Sequence, residues 1–405
     1  LQFSSTAYST NEGTTATINV IRGAGLDGTV GVTATVTDGT ATGGAACTAG
    51  IDYINPGPQV LSYNMGEALK SFNITTCTDA SLKGNETVTL TLSSPTGGAT
   101  IGVNNPATLT IIAVPPPFSG TINVGTGETF TSLTNAGGIF QALNGAGLSA
   151  NTTINITSDL TAETGAIALN QLTEFGAGGY TLTIKPSGAA RTISGTSAVS
   201  NGLINLNGAD RVIFDGSLSG GTDRSLTLTN LQTGTSTVFW IKSANASNGA
   251  NNNTIKNSII NGTSVGTTAQ TTAGILAGSG VTIGGAAEAP NNNNTITNNH
   301  IYRVQNSLYN QGNVGFDQNW TITNNEFGSA VEADKNRFRG MLMGNANNFV
   351  ISGNTVLGVG NFTSTTGALT GIQIAFTVTN GTITGNRISN VQNLSATGTG
   401  AFGMQ

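Results

Sequence analysis

The chain has 405 residues, of which 57 are glycine and only 8% are charged, and its formal net charge is −5. Because 37% of the residues are hydrophobic, a packed core is available and wholesale disorder is excluded. The sequence has neither a basic tract nor an apolar stretch of about 18 residues, which argues against a nucleic-acid partner and against a membrane span. Few charges and many small β-formers favour an all-β protein located outside the cell or on its surface.

The first region begins LQFSS, without Met or a signal peptide, so we expect a processed N-terminus or a fragment of a longer protein. Residues 1–114 contain about seven runs that alternate apolar and polar residues, such as Val88, Leu90 and Leu92 in ETVTLTLS. Seven short strands in a region of this length are typical of a β-sandwich. The following proline run, AVPPPF, cannot sit within a sheet and predicts a stiff linker at 115–120.

Five motifs follow one another within this first region: FSSTAYSTNEG, TDGTATGG, GIDY, MGEALKSFNIT and GNETVTLTLSSPTGGATIG. Together they resemble a Calx-β domain over essentially all of 1–114. The resemblance implies an immunoglobulin-like sandwich, and some members of the family bind Ca²⁺ at one end through converging carboxylates. Carried over residue by residue, it implies Ca²⁺ ligands at Glu12, Asp52, Asp79 and Glu86.

The sequence departs from the calcium-binding members at two places. Its last strand ends IIAVPPP without an acidic cluster, and the stretch after Asp79 reads ASLKGN, with Lys83 near the expected site. Two interpretations therefore stay open at this stage. Either one weak Ca²⁺ site is present, or no metal binds and the acids cap turns.

The chain contains two cysteines, Cys47 and Cys77. An even pair in a chain that looks exported could form one disulfide, and the alternative is a pair of buried thiols. The Calx-β resemblance places both cysteines at the same end of the sandwich. It thereby implies a disulfide that takes over the loop-pinning role that Ca²⁺ has in other members.

The second region, 121–405, carries a repeat with five clear copies: NNTIKNSII, NNTITNNHI, NWTITNNEF, NFVISGNTV and NGTITGNRI. Each central isoleucine is followed five residues later by another apolar residue. Steps of variable length between copies favour a solenoid over a propeller. The pattern predicts a right-handed parallel β-helix, which resembles the pectate-lyase-like superfamily in fold and the PbH1-type repeats of bacterial surface proteins in sequence.

The repeat also predicts how each coil turns. The pair after each strand reads NS, NN, NN, GN and GN, and a tight turn needs a left-handed residue, which Asn and Gly tolerate. We expect Asn298→Val to destabilise its coil, whereas Asn291 is placed in a loop where a change should do little. Stacked amides can also bond along the solenoid. The resulting structural turn ladder comprises Asn257, Asn298, Asn299, Asn324, Asn325, Asn354 and Asn386.

The two ends of the predicted solenoid differ. Residues 129–147 carry apolar residues at helical spacing, which predicts a short N-terminal capping helix over the first coil. At the other end, GAFGMQ looks like the first strand of another coil, so the last coil is predicted to be incomplete. We expect either a fragment of a longer protein or an end covered by another molecule, for example through end-to-end self-association.

Candidate chemistry on the solenoid is sparse. No GxSxG, HExxH, P-loop or EF-hand motif occurs, and the single histidine, His300, faces Glu326 on the next coil as an external charge pair. By alignment with Asn294, Trp320 is predicted to be exposed, which suggests a carbohydrate surface. The segment ADKNRFRG is favoured as a solvated loop. The candidate contacts to a surface glycan are Trp320, Lys335, Arg337 and Arg339.

These patterns predict an extracellular bacterial structural or adhesive protein. It would be a stalk or filament-forming surface module that has no catalytic activity and requires no cofactor. The alternative is a polysaccharide lyase or glycoside hydrolase that acts on a β-helix face. A groove with two or more acids beside Arg or Lys would favour the enzyme, and a smooth face of Asn, Thr and Ser would favour the structural protein.

Overall fold

The structure is a computed structural model that describes residues 1–78, 84–263, 273–361, 368–394 and 400–405. It contains two compact units, Leu1–Pro116 and Pro117–Gln405. Nearly all of the regular structure is β, so the all-β fold class is confirmed. Within the described residues, no helix is long and apolar enough to cross a bilayer.

The first unit is a sandwich of two five-stranded sheets, β1-β3-β8-β6-β5 and β2-β10-β9-β4-β7. Most neighbouring strands are antiparallel, and alternate side chains point into one shared core, as in β3, where Ile18 and Val20 are buried. The strands are β1 (Gln2–Phe3), β2 (Ala7–Asn11), β3 (Thr15–Ile21), β4 (Val30–Asp38), β5 (Gly43–Gly44), β6 (Tyr53–Ile54), β7 (Gln59–Tyr63), β8 (Leu69–Thr76), β9 (Glu86–Thr96) and β10 (Ala107–Ile112).

The second unit is a parallel β-solenoid with three sheets. Its first strand begins at Phe118, inside the segment predicted as linker, so the solenoid starts a few residues earlier than the sequence indicated. Phe118 pairs with Leu148 of the next coil, which explains why it belongs to the sheet. The first strands are β11 (Phe118–Val124), β12 (Leu148–Ile156), β13 (Leu160–Glu163), β14 (Leu169–Asn170), β15 (Leu182–Pro186), β16 (Arg191–Gly195), β17 (Asn201–Asn207), β18 (Val212–Asp215), β19 (Leu226–Asn230) and β20 (Ser236–Lys242).

Later coils repeat the same order of short strands. They are β21 (Thr254–Lys256), β22 (Ser258–Asn261), β23 (Ala273–Gly278), β24 (Thr295–Thr297), β25 (His300–Tyr302), β26 (Asn306–Gln311), β27 (Asp317–Gln318), β28 (Thr321–Thr323), β29 (Glu326–Gly328), β30 (Arg339–Asn347), β31 (Val350–Ser352), β32 (Thr355–Asn361), β33 (Leu369–Thr379), β34 (Thr382–Thr384), β35 (Arg387–Ile388), β36 (Val391–Asn393) and β37 (Ala401–Met404). A 3₁₀ turn covers Glu332–Asp334.

Three sheets run along the solenoid. Sheet I is β11-β12-β15-β18-β21-β24-β28-β31-β34, and sheet II is β13-β16-β19-β22-β25-β29-β32-β35 with β36 beside β32. Sheet III is β14-β17-β20-β23-β26-β30-β33-β37 with β27 beside β30. Every strand pair along these three sheets is parallel, so each coil stacks on the equivalent strands of its neighbours.

The core is a set of apolar columns along the solenoid. In sheet I, the central residue of each short strand points inward and stacks in register on its counterpart. Each fully buried side chain of this size contributes about 1.5–3 kcal/mol relative to exposure. This column explains why the repeat keeps isoleucine at one position, and it comprises Ile255, Ile296, Ile322, Ile351 and Ile383.

Among the described residues, one α-helix is present, α1 (Ile139–Ala146), and it covers the start of the solenoid where the sequence predicts a cap. Its buried face consists of Ile139, Phe140, Leu143 and Ala146, and the first three join the core of the solenoid. The helix ends at Gly147, whose φ of 72° is a left-handed conformation and whose N–H donates to Leu143. The apolar face of α1 thus shields core side chains that an open coil would expose.

Candidate functional site

Three of the four predicted Ca²⁺ ligands lie at one end of the sandwich. Glu12 follows β2, and its N–H donates to the carbonyl of Ile112 at 3.0 Å, while Glu86 begins β9, which pairs with β10. Asp52 directly precedes β6, and its carbonyl accepts the N–H of Cys77 at 2.8 Å. Cys77 follows β8, which ends beside the turn that holds Glu12. The sequence therefore brings these three acids to the same end.

Carboxylates at this end accept hydrogen bonds from other groups of the protein. Asp52 is 3% exposed, and its Oδ2 accepts the N–H of Thr42 at 2.7 Å. Asp38 accepts the hydroxyl of Tyr53 at 2.7 Å and the N–H of Gly43 at 2.9 Å. Burial and the adjacent Asp38 raise the pKa of Tyr53, so its hydroxyl stays a donor at neutral pH. Both acids therefore pin the loops around β5 and β6.

The described residues do not by themselves supply a metal site. Asp79, the fourth predicted ligand, and Lys83 lie outside them. Within the residues that the structure describes, no group of three or more His, Cys, Asp or Glu side chains could hold a metal ion. Ca²⁺ takes six to eight oxygen ligands, so Glu12, Asp52 and Glu86 would need further donors.

Cys47 and Cys77 form a disulfide, as predicted, with Cα atoms 5.4 Å apart. The bond joins the loop after β5 to the residue that follows β8, and it lies beside the Asp52 segment. It therefore closes a loop at the end of the sandwich where the acids gather.

Removing this disulfide by a Cys47→Ser, Cys77→Ser double substitution should destabilise the sandwich by about 3 kcal/mol, because the unfolded loop gains conformational freedom. Calorimetry should show a lower melting temperature for the sandwich and an unchanged solenoid transition. Thiol titration of the denatured, unreduced protein should detect no thiol. Finding two would contradict the bond.

The predicted turn ladder contains residues with two different roles. Its first positions adopt left-handed backbone, with φ of 57° at Asn257, 52° at Asn298 and 55° at Asn324. Glycine takes the same position in the next two coils, at Gly353 with φ of 66° and Gly385 with 61°. Asn and Gly tolerate this conformation best, which explains their alternation at this point of the repeat.

The second positions of the turn carry the hydrogen-bonded ladder. Asn299, Asn325 and Asn354 are buried, and Asn386 continues the series in the next coil. The Oδ1 of Asn325 accepts the N–H of Asn299 at 3.0 Å, and the Oδ1 of Asn354 accepts the N–H of Asn325 at 2.9 Å. The Nδ2 of Asn325 donates to the carbonyl of Ile296 at 2.8 Å. Each amide thus satisfies backbone groups inside the solenoid.

The placement of Asn291 in a tolerant loop is wrong. Asn291 is fully buried, and its Oδ1 accepts the N–H of Ala250 at 2.8 Å. Its own N–H donates to Asp317 at 2.9 Å, and its carbonyl accepts the indole N–H of Trp320 at 2.6 Å. Asn291 and Asn294 therefore belong to a second buried network rather than to a solvated approach to the coil.

Trp320 is not exposed, contrary to the prediction. It is 0% exposed and packs in the core. The slot that it shares with Asn253 and Asn294 points inward, since the Oδ1 of Asn294 accepts the N–H of Asn253 at 2.9 Å. The alignment of Trp320 with Asn253 and Asn294 is correct, but this position faces the core rather than the solvent. Trp320 therefore offers no glycan contact.

Trp320→Ala should lower the free energy of unfolding by about 3–5 kcal/mol, because it leaves a large cavity in the core. Trp320→Phe, which fills most of the volume but loses the indole hydrogen bond, should cost less. Denaturant titration followed by far-ultraviolet circular dichroism measures both. Equal, small losses would place the side chain at the surface.

Lys335 and Arg337 are also buried, so the solvated loop and their glycan contact are wrong. Lys335 is 3% exposed, and its Nζ lies 2.7 Å from Oε2 of Glu332 and 3.3 Å from Oε1 of Gln392. Arg337 contacts the same Glu332 at 3.3 Å and donates to the carbonyl of Gly360 at 3.2 Å. Both cations connect neighbouring coils, and the carboxylate of Glu332 compensates their charge.

Arg339 is 8% exposed, so it is not in a solvated loop either, but its environment differs. Its guanidinium stacks on Phe338 at 3.9 Å from the ring centre and donates to Oε1 of Gln373 and to Oδ1 of Asn306. Burial lowers the pKa of Arg339 to about 10. Its partners are therefore amides and a ring rather than a carboxylate.

A polar cluster on sheet II surrounds His300. This residue lies in register between Ile259 and Glu326, and its ring stacks on Tyr302 with centroids 4.6 Å apart. Its Nε2 lies 3.0 Å from the carbonyl of Gly328, which only accepts, so this nitrogen carries the proton. Burial lowers the pKa of His300, which keeps the ring neutral at neutral pH.

Arg224 completes this cluster and was missed in the sequence. It precedes β19, yet its Nη1 lies 3.0 Å from Oε2 of Glu326 and its Nε donates to the carbonyl of Asn298 at 2.9 Å. It therefore contacts residues two and three coils further along the solenoid. No motif signals a contact between residues 74 positions apart, and only the coil register could have indicated it.

Comparison with known proteins bears on the first unit. The family model described as "Calx-beta domain" matches residues 1–115. Similar solved structures include an apo-form Calx CBD1 domain, 24% identical, with 28% of this chain and 94% of that one covered and a TM-score of 0.25. The calcium binding domain CBD12 of CALX1.1 is 20% identical, with 30% and 51% covered and a TM-score of 0.25.

A further similar structure is CBD12 from CALX1.2, 21% identical, with 30% of this chain and 50% of that one covered and a TM-score of 0.26. This chain thus spans about half the length of the two CBD12 structures. No curated protein matches the sequence. The family match agrees with the Calx-β resemblance of the first region.

Proposed function

We propose that the chain is an extracellular bacterial surface module that spaces and adheres, and that it has no catalytic activity. The Calx-β domain match and the β-solenoid together support a surface or binding module. We also propose that the solenoid belongs with the PbH1-type repeats of the pectate-lyase-like superfamily. The disulfide supports an oxidising compartment outside the cytosol.

One observation carries this proposal: the outer side of sheet I is a regular, uncharged surface over four coils. Its side chains stand in two columns that are in register from strand to strand. A face of this kind lacks paired acids for acid–base chemistry and offers hydroxyl and methyl groups at fixed spacing. The columns are Thr295, Thr321, Val350 and Thr382, and Thr297, Thr323, Ser352 and Thr384.

Adhesion can be tested with the full chain and beads coated with a panel of acidic and neutral polysaccharides. We expect retention on at least one polysaccharide and no change in its chain length. Absence of retention on every bead would overturn adhesion, and a fall in chain length would overturn the lack of catalysis.

The His300 cluster favours a second candidate function, a polysaccharide lyase or hydrolase acting on sheet II. A neutral imidazole beside Tyr302, Glu326 and Arg224 provides acid–base groups on one face. This candidate predicts unsaturated or shortened products from uronate polysaccharides, abolished by His300→Ala. Asp317, which is fully buried, cannot serve as its acid.

Two associations belong to the same proposal. One weak Ca²⁺ site would use Glu12, Asp52 and Glu86 with Asp79, and calorimetric titration with CaCl₂ checks it. End-to-end self-association of the module would raise the molar mass with concentration in light scattering. A constant monomer mass up to high concentration would contradict the association.

A further inference from the structure

Lys335 is a buried lysine in contact with two side-chain amides. It is 3% exposed, and its Nζ lies 3.4 Å from Oδ1 of Asn390 and 3.3 Å from Oε1 of Gln392. Oε2 of Glu332 lies 2.7 Å from the same nitrogen. A primary amine that touches both an amide and a carboxylate, away from bulk water, has the groups that acyl transfer from the amide to the amine requires.

Strand register brings Lys335 and Asn390 together across an intervening glycine. The residue after Lys335 bridges Val359 of β32, and Val359 pairs with Val391 of β36. One position earlier, Lys335, Gly358 and Asn390 therefore lie side by side in successive coils. Two strand spacings amount to about 9.6 Å, which a lysine and an asparagine can span when the residue between them has no side chain. A Cβ at Gly358 would lie 3.1 Å from Cγ of Lys335, so the glycine keeps this path over β32 open.

Asn390 rather than Gln392 is held at a fixed position. The carbonyl of Asn390 accepts the N–H of Val359 at 3.1 Å, and the residue is half-buried. Gln392 is exposed, and its longer side chain loses more rotamer freedom when it is held in one place. Cγ of Asn390 carries the oxygen that contacts Nζ, so a modest rotation of this side chain brings Cγ to the amine.

We propose that Lys335 and Asn390 form an intramolecular isopeptide bond, with Glu332 as the proton carrier. Glu332 takes a proton from Nζ, and the freed amine attacks Cγ of Asn390. As the bond between Cγ and Nδ2 breaks, Glu332 delivers the protons from Nζ to the leaving nitrogen, which departs as ammonium. A bond between Nζ and Cγ replaces the one that is lost, and Glu332 returns to its carboxylate form. The reaction consumes no oxidant, reductant or cofactor.

The charges around Lys335 favour the same reaction. Glu332 also contacts Arg337 at 3.3 Å, so two cations share this carboxylate. The bond removes the positive charge of Lys335, which is held away from water, and leaves the pair of Glu332 and Arg337 in place. The side chain of Glu332 is 46% exposed, which gives the released ammonium a route to the solvent.

The bond ties together residues 55 positions apart and holds β32 between them. It therefore fastens the coil that carries β36 to the coil two steps before it. This modification does not depend on the proposed adhesive function, and it can be present whether or not the protein binds a surface.

The test is the intact mass of the purified, reduced full chain, which should be lower than the mass of the sequence by one ammonia molecule. Trypsin does not cleave after an acylated lysine, so the digest should contain residues 304–337 joined to 388–405. This joined fragment distinguishes the bond from a loss of ammonia elsewhere in the chain. The full sequence mass, or a digest without the joined fragment, would overturn the proposal.

Matched variants assign the bond to its two residues. Lys335→Arg keeps the positive charge, and Asn390→Gly suits the left-handed backbone at this position, where φ is 56°. Both should have the full sequence mass. Gln392→Ala and Lys256→Arg, a change to a lysine on sheet I, should still lose one ammonia. A joined fragment that persists in folded Asn390→Gly would overturn the assignment. Circular dichroism confirms that each variant is folded.

Glu332→Gln tests the proton carrier while it keeps the amine and the amide. Formation of the joined fragment, followed at successive times after synthesis, should be at least about tenfold slower than in the wild type. An unchanged rate in the folded variant would overturn the role of Glu332.

Discussion

Replacing Asn325 by alanine is expected to lower the free energy of unfolding of the solenoid by about 4 kcal/mol. The change removes an amide that accepts from Asn299 and donates to Ile296 and Asn354, all within the solenoid. Buried groups left unpaired cost about 1–3 kcal/mol each, so the loss of several bonds at once exceeds that of an ordinary substitution. Urea titration followed by circular dichroism should show the loss in the solenoid transition.

The adjacent residue provides a matched control. Asn324 has φ of 55°, and glycine takes its place in the next two coils. Asn324→Gly should therefore change stability by only a few tenths of a kcal/mol, whereas Asn325→Gly should be as damaging as alanine. Equal effects at the two positions would mean that the roles assigned to the turn pair are wrong.

Asp317→Asn is expected to stabilise the solenoid above pH 7, although most core substitutions destabilise. Asp317 is fully buried, and its Oδ1 accepts the N–H groups of Asn291 and Asn313 at 2.9 and 3.2 Å. Its Oδ2 has no partner, and the neighbouring Asn310 has an Oδ1 without a donor. A proton on Oδ2 can join these two oxygens, and so can the NH₂ group of an asparagine.

Burial raises the pKa of Asp317 from 3.8 to about 7. Between these values the folded protein keeps a proton that the unfolded chain releases, so stability falls as pH rises through this window. The loss reaches about 4 kcal/mol at pH 7 and is constant above it. The Asp317→Asn variant has no titrating group at this position, so its stability should not fall in this way.

The measurement is denaturant unfolding of the wild type and Asp317→Asn at pH 4 and pH 8. Their stabilities should be similar at pH 4 and differ by several kcal/mol at pH 8, in favour of the variant. Carboxylates such as Glu174 and Asp215, whose pKa values are lowered in the fold, affect both proteins equally. A difference that does not vary with pH would show that Asp317 is ionised in the folded protein at both values.

The solenoid could be predicted from sequence because the same two demands on residue type recur in successive coils. Each of the five repeat copies has an apolar residue at the position of Ile296 and a left-handed residue at the position of Asn298. Both demands recur at each copy, so five copies fix the register of the coils. The resemblance of the first region to a Calx-β domain could be recognised because its turn motifs and acidic residues follow one another in a characteristic order.

The faces of individual side chains were harder to predict. Trp320 and Asn291 looked exposed because polar residues share their positions in other copies, yet buried amides fill those positions too. Alternation cannot distinguish a solvated asparagine from one that bonds a buried backbone group. The placement of Arg224 depends on contacts between coils, and loops of variable length hide such neighbours in the linear sequence.

The Cys47–Cys77 bond also has a mechanical consequence. If the protein holds a cell to a surface, as proposed above, it is pulled at its ends, and the bond spans 30 residues of the sandwich. If tension unfolds the sandwich, the segment between the two cysteines cannot extend, although its fully extended length would be about 100 Å. The unfolded chain is therefore shorter by that length, and the tension at a given extension is higher than it would be without the bond.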